Sequence, residues 1–114
     1  MSGQLTASEI AMGLLALSKQ LEKVSTDLDA ADVAYVDAKH AADVAESKAF
    51  LTADGPMDVR RHLAKVETAD LRFKADMAEA AVKQGIRARD TIKVRIDVGR
   101  SANAALRAEI GGLG

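Results

Sequence analysis

The chain has 114 residues, no cysteine, a single proline, only three aromatic residues and a net charge of −1. A chain of this length forms at most one domain, and so few aromatic side chains exclude a thick multilayer core. The lack of cysteine excludes disulfides, thiolate metal sites and cysteine catalysis.

The first predicted element is a long helix over residues 6–53. Thr6 and Glu9 are spaced as a capping box, in which each side chain satisfies a free backbone N–H at the start of a helix. Beyond it, apolar or small residues recur at alternating spacings of four and three, the pattern of a helix that lies along another helix. The seam positions of this first helix shrink from leucine to alanine: Ile10, Leu14, Leu17, Leu21, Val24, Leu28, Ala31, Tyr35, Ala38, Ala42, Ala45 and Ala49.

A tight turn is predicted at residues 54–56. Gly55 can take the left-handed conformation that ends a helix, and Pro56 suits the first turn of the next one. Because the turn is short, a second helix over about residues 57–110 returns antiparallel to the first. The predicted fold is a single all-α domain, a long two-helix hairpin resembling a coiled coil, in which Gly99 could mark a break near residues 99–101.

The second helix carries apolar residues that we expect to face the first. Folding at Gly55 pairs residue i with residue 110 − i, which sets small residues such as Ala38 and Ala42 against the large Phe73. The predicted seam of the second helix comprises Val59, Leu63, Val66, Phe73, Met77, Ala81, Gly85, Ala88, Ile92, Ile96, Gly99, Leu106 and Ile110.

Helix one has a second apolar line, which widens its apolar surface beyond what a single partner helix can cover. We therefore expect a homo-oligomer, most simply a dimer that forms a four-helix bundle. Scattered surface valines are the alternative interpretation. The line comprises Val33, Val36, Val44 and Leu51, which are candidate partner-binding residues.

Charge is distributed unevenly along the chain. Residues 1–54 hold nine acids and four bases, whereas residues 55–114 hold eight acids and twelve bases. On a helix, four of these bases fall within a sector of about 40°, and such a row can track phosphates. These candidate nucleic-acid-binding residues are Arg89, Lys93, Arg100 and Arg107. Alternatively, the bases face acids of the first helix or are simply solvated, and no aromatic residue interleaves the row to stack on bases.

Arg60 and Arg61 follow the predicted turn and are further candidates for binding a protein partner. Cations at the start of a helix oppose the helix dipole, a small local cost that a contact could offset. A hairpin tip kept soluble by charge is the alternative.

Nothing in the pattern indicates an enzyme, a cofactor or a small-molecule substrate. His40 and His62, the only histidines, fall about eight positions out of register in the hairpin, so a metal site is not expected. No nucleotide-binding motif is present. The longest uncharged apolar stretch, residues 10–18, is half the length that a bilayer requires, so we expect a cytoplasmic protein without a membrane partner.

Six short segments carry a resemblance to known proteins: residues 45–51, Gly55, Arg60-Arg61, residues 68–72, Arg95-Ile96 and residues 105–107. They resemble small helical proteins of temperate bacteriophages that are often encoded beside genes for single-strand annealing and DNA replication. The resemblance covers residues 30–110, although this chain has alanine where the first-helix seam of those proteins is charged. It implies a non-enzymatic phage accessory protein in DNA metabolism, in the cytoplasm of a bacterial host, that binds nucleic acid or a recombination or replication protein. A module that inhibits or adapts a host protein, or an assembly component, is the alternative.

Overall fold

The computed structural model describes residues 6–113, which form three α-helices. Helix α1 spans Ala7–Thr52, α2 spans Met57–Glu67 and α3 spans Ala69–Leu113. The chain is therefore all-α, and the predicted long helical hairpin is confirmed.

Both ends of the first predicted helix are confirmed by local geometry. The backbone N–H of Glu9 donates to Thr6 Oγ1 at 3.1 Å, so Thr6 caps the start of α1. Gly55 has φ 109°, a left-handed value that residues with a Cβ rarely adopt, and Pro56 immediately precedes α2. The chain thus reverses direction at the predicted turn.

The chain divides into two compact units. One unit comprises residues 28–85, in which the second half of α1 packs against α2 and the first part of α3. The other comprises the described residues before 28 and after 85, in which the start of α1 packs against the rest of α3. The buried apolar residues differ between them, because the first unit buries mainly alanines whereas the second buries Ile10, Ile92 and Ile96.

The predicted seam of α1 is confirmed, because every one of its twelve positions is buried or half-buried. Ala42 is completely buried, and Leu28 and Ile10 are 7% and 8% exposed. The predicted decrease in side-chain size towards Ala49 is therefore a property of the surface that α1 presents to the second arm of the hairpin, which consists of α2 and α3.

The predicted seam of the second arm is wrong between Val59 and Ala81, where its residues are exposed, and also at Ala88 and Ile110. The side chains that face α1 lie five residues further along, which is about 140° around the helix. They keep the same 4-3 spacing and form the second-arm seam: Ala64, Thr68, Leu71, Ala75, Ala78, Val82, Gly85, Arg89, Ile92, Ile96, Gly99, Asn103 and Leu106.

Between residues 38 and 75 the helices therefore pack mainly small residues against small ones, not small against large as predicted. Ala42 and Ala49 of α1 are buried, as are Ala64 and Ala75 of the second arm. Helices with alanine at their contact can approach closely, which Phe73 or Met77 at the same positions would prevent. The alanines also bury little apolar area, so this seam contributes modest hydrophobic stabilisation.

The register of the hairpin also differs from prediction. Leu28 packs on Gly85 in one unit, and Leu14 packs on Gly99 in the other. Both pairs match residue i with residue 113 − i, three positions from the predicted 110 − i. The shift places leucine side chains over glycines, where there is room for them.

The second arm is interrupted at Thr68. The possible break predicted near residues 99–101 is wrong, because α3 is continuous through Gly99. Thr68 is buried, and its hydroxyl donates to the Ala64 carbonyl at 2.7 Å. A threonine hydroxyl bonded to the carbonyl four residues earlier tends to bend a helix. Backbone hydrogen bonds of helical spacing continue on both sides, so the interruption is confined to one residue.

Candidate interaction surfaces

A second apolar stripe runs along the side of α2 and α3 that faces away from α1. Phe73 and Val66 are each 64% exposed, and Met77 is 57% exposed. Its seven positions keep the 4-3 spacing of a coiled-coil seam, and six of them are apolar. This surface, the outer stripe, comprises Val59, Leu63, Val66, Asp70, Phe73, Met77 and Ala80.

An ion pair beside Phe73 accompanies the packing of α3 against α1. Arg72 donates to Asp43 Oδ1 at 2.8 Å and to Glu46 Oε2 at 3.1 Å. The hydrogen bond to Asp43, assisted by the nearby negative charges, raises the pKa of Arg72 above its usual value. Because Phe73 is the next residue, it projects about 100° around the helix from Arg72 and away from the ion pair.

A second polar cluster joins α1 to α3 at Glu79. Lys83 Nζ lies 3.1 Å from Glu79 Oε1, and the Tyr35 hydroxyl donates to Glu79 Oε2 at 3.4 Å. The hydrogen bond and positive charge of Lys83 lower the pKa of Glu79, with a smaller contribution from Tyr35. Tyr35, a predicted seam residue, thus places its hydroxyl at the edge of the seam.

The predicted apolar line of α1 is also exposed. Val33 and Val36 are each 63% exposed, Leu51 is 72% exposed and Val44 is 36% exposed. These four residues form a less continuous stripe than the outer stripe, because His40 lies among them. None of the four is aromatic. Their role in binding a partner stays a prediction.

At the hairpin tip, Arg60 has an internal role. Its Nε and Nη2 atoms donate to the Phe50 carbonyl at 3.3 and 3.1 Å, and its guanidinium carbon lies 4.6 Å from the centroid of the Phe50 ring. Phe50 is in the last turn of α1, where unpaired carbonyls and the helix dipole favour a cation. Arg60 therefore opposes the dipole of its own helix but complements that of α1.

Arg61 is exposed and borders an open pocket of about 550 Å³ near the tip. Apolar side chains form one part of its wall, and charged groups lie at its edge. Such a pocket could hold an apolar side chain. It is lined by Glu46, Ser47, Phe50, Leu51, Met57, Arg61, Ala64 and Lys65.

The four bases of the predicted row do not share one environment. Arg89 is a half-buried seam residue, and its Nε lies 3.5 Å from Asp90 Oδ1. Lys93, Arg100 and Arg107 are exposed. These three are spaced seven residues apart on one side of α3 and are called the basic edge below.

Two negative findings concern residues 6–113 only. No helix of this range is sufficiently long and apolar to cross a membrane. In the same range, no three His, Cys, Asp or Glu side chains come together where they could hold a metal ion.

The outer stripe is not predicted as an exposed surface from the sequence, although five of its seven residues belong to the predicted seam of the second helix. The missed signal was a second 4-3 repeat made of smaller residues, such as Ala64, Ala75 and Ala78, which matches the alanine-rich part of α1. The role of Arg72 is likewise not predicted, because its carboxylate partners are distant in sequence.

No protein-family model matches the chain, and no curated protein or solved structure is significantly similar to it. The resemblance to phage accessory proteins therefore stays a prediction.

Proposed function

We propose that this protein is a non-enzymatic interaction module that pairs with a second copy of itself through the outer stripe. The observation that carries the proposal is the exposure of Phe73, Met77, Val66 and Leu63 at coiled-coil spacing. A 4-3 apolar repeat is the surface that another helix with the same repeat covers. A second copy supplies such a helix.

The exposed area of the outer stripe supports a second copy of the chain as the partner. The large side chains of the outer stripe expose on the order of 500 Å² together, at the upper end of what a monomer usually exposes in one patch. A standard interface buries about 800 Å² on each partner, and polar residues beside the stripe would supply the remainder. Lys65 and Lys74 are exposed and lie next to stripe residues.

The energetics of residues 28–85 point the same way. Their seam buries mainly alanines, whereas most of the larger apolar side chains remain exposed. Covering Phe73 and Met77 in a dimer would add the hydrophobic stabilisation that the alanine seam does not supply.

The biological setting is proposed from the resemblance. It favours an accessory protein of phage DNA metabolism in a bacterial cytoplasm, where the paired module would bind a recombination or replication protein. An adaptor or inhibitor of a host protein is the alternative, and the exposed line of Val33, Val36, Val44 and Leu51 would be its contact surface.

Sedimentation equilibrium of two matched variants tests the pairing. We expect the wild type to show twice the 12.0 kDa chain mass. Phe73→Gln/Met77→Gln should raise the dimer Kd at least about 100-fold, because both copies lose two buried apolar side chains. Val33→Gln/Val36→Gln changes two equally exposed residues of α1 and should leave the Kd unchanged.

Circular dichroism should give the same helical content for both variants, because all four positions are exposed in the single chain. A wild type that stays monomeric at high micromolar concentration contradicts the proposal. If only Val33→Gln/Val36→Gln dissociates the dimer, the interface lies on α1 and not on the outer stripe.

A further inference from the structure

We propose that the basic edge, Lys93, Arg100 and Arg107, binds the phosphate backbone of double-stranded DNA without sequence preference. This inference concerns the unit formed by the start of α1 and the end of α3, and it does not depend on the outer stripe. Nothing in the proposed pairing uses these three side chains.

The geometry of the edge suits an extended polyanion. Seven residues of helix rise about 10.5 Å, so the three cations are spaced evenly over about 21 Å of α3. Seven residues are also close to two full turns, so the three side chains lie on one side of the helix. All three are exposed.

The cations of the edge have no carboxylate partner within residues 6–113, unlike Arg72. Arg72 occupies the same position of the heptad and pairs with Asp43 and Glu46 of α1. Arg100 lies four heptads after Arg72 in α3. The α1 residues at the positions equivalent to Asp43 and Glu46 are there Leu15 and Ser18.

The same comparison of equivalent α1 positions applies to Arg107 and Lys93. The equivalent α1 positions for Arg107 hold Ser8 and Ala11, so no acid is available there. For Lys93 they hold Glu22 and Ser25, and Glu22 forms no ion pair with Lys93 within 4.0 Å. Of the six equivalent α1 positions beside the edge, only Glu22 is therefore acidic, and Asp97 of α3, between Lys93 and Arg100, forms no ion pair with either.

The local charge balance points to an anionic ligand. Residues 86–113 contain six bases and three acids, a net charge of +3 in a chain whose total is −1. Beyond Gly85, α3 has no Phe, Tyr or Trp to stack on unpaired bases. A duplex presents one charge per about 1.7 Å of its axis, so 21 Å of α3 would face about twelve phosphate charges. The duplex is thus favoured over a single strand.

Fluorescence anisotropy with a labelled duplex of about 20 base pairs and mixed sequence tests the proposal. Three phosphate contacts predict that the affinity falls about 40-fold between about 50 and 200 mM salt. Arg100→Gln/Arg107→Gln leaves one contact, so its affinity should fall only about three- to fourfold over the same range, from a weaker starting value.

Arg87→Gln/Arg95→Gln is the matched control, because it removes two exposed cations from the same helix away from the edge. It should keep most of the wild-type salt dependence, and circular dichroism should show equal helicity for both double variants. No duplex binding at low salt, or an equal loss in both double variants, overturns the proposal.

Two further probes separate duplex DNA from other polyanions. A single strand of the same length and vesicles containing anionic phospholipid should each bind more weakly than the duplex. Tighter binding of either probe overturns the assignment. Retained duplex binding in Phe73→Gln/Met77→Gln would show that this site is independent of the proposed pairing.

Discussion

Leu28 packs its side chain on the backbone of Gly85, so a Cβ at residue 85 would lie 2.9 Å from Leu28 Cδ1. Leu14 and Gly99 repeat the arrangement, with a corresponding distance of 2.7 Å from Leu14 Cδ2. A glycine inside a helix costs about 1 kcal/mol relative to alanine. Both glycines are explained by the leucine that occupies the space of a side chain.

This packing predicts that alanine substitutions at different glycines have different effects on stability. Gly13→Ala should raise the free energy of unfolding by up to about 1 kcal/mol, because nothing lies within 4 Å of the added Cβ. Gly85→Ala should raise it by less or lower it, because Leu28 must move. Urea denaturation at a fixed protein concentration measures both changes.

A double-mutant cycle checks the physical reason for that difference. In a Leu28→Ala background the obstructing side chain is gone, so Gly85→Ala should be more favourable than in the wild type. Equal stabilisation by Gly13→Ala and Gly85→Ala in the wild type would contradict the packing explanation.

The two neighbouring arginines at the hairpin tip should differ in their contribution to stability. Arg60→Ala removes two hydrogen bonds to the Phe50 carbonyl and the contact with the Phe50 ring, and should lower the free energy of unfolding by about 1 kcal/mol or more. Arg61→Ala is the adjacent control and should change it by less than about 0.5 kcal/mol. Thermal and urea denaturation would measure both, and equal losses would disprove the capping role of Arg60.

Glu79 should make the stability of the hairpin depend on pH. Its pKa is below the usual value of 4.5 in the folded chain, so its stabilising effect is full above that value and is lost as the pH falls through the lower folded pKa. Glu79→Gln should therefore be less stable than the wild type near neutral pH, and the difference should shrink in acid. Urea titrations at about pH 6 and pH 3.5 measure it, and a constant difference would show that the Glu79 carboxylate has no such role.

Much of the hairpin could be predicted from local sequence. Thr6 and Gly55 act through their own backbone and near neighbours, so the helix start and the turn are correctly predicted. The seam of α1 is predicted from the unbroken 4-3 repeat between Ile10 and Ala49, which identifies the side of the helix that is buried. The exposed α1 valines and the exposure of Arg61, Lys93, Arg100 and Arg107 also agree with the sequence pattern.

The sequence could not determine which side of the second arm faces α1, because that arm contains two 4-3 repeats. The repeat through Phe73 and Met77 offers more apolar area, whereas the repeat through Ala64 and Ala75 fits closer to the alanines of α1. Contacts between residues far apart in sequence, such as Arg72 with Asp43, accompany the second choice. Periodicity reports only which residues share a face, so tertiary packing decided the register, the internal role of Arg60 and the exposure of the outer stripe.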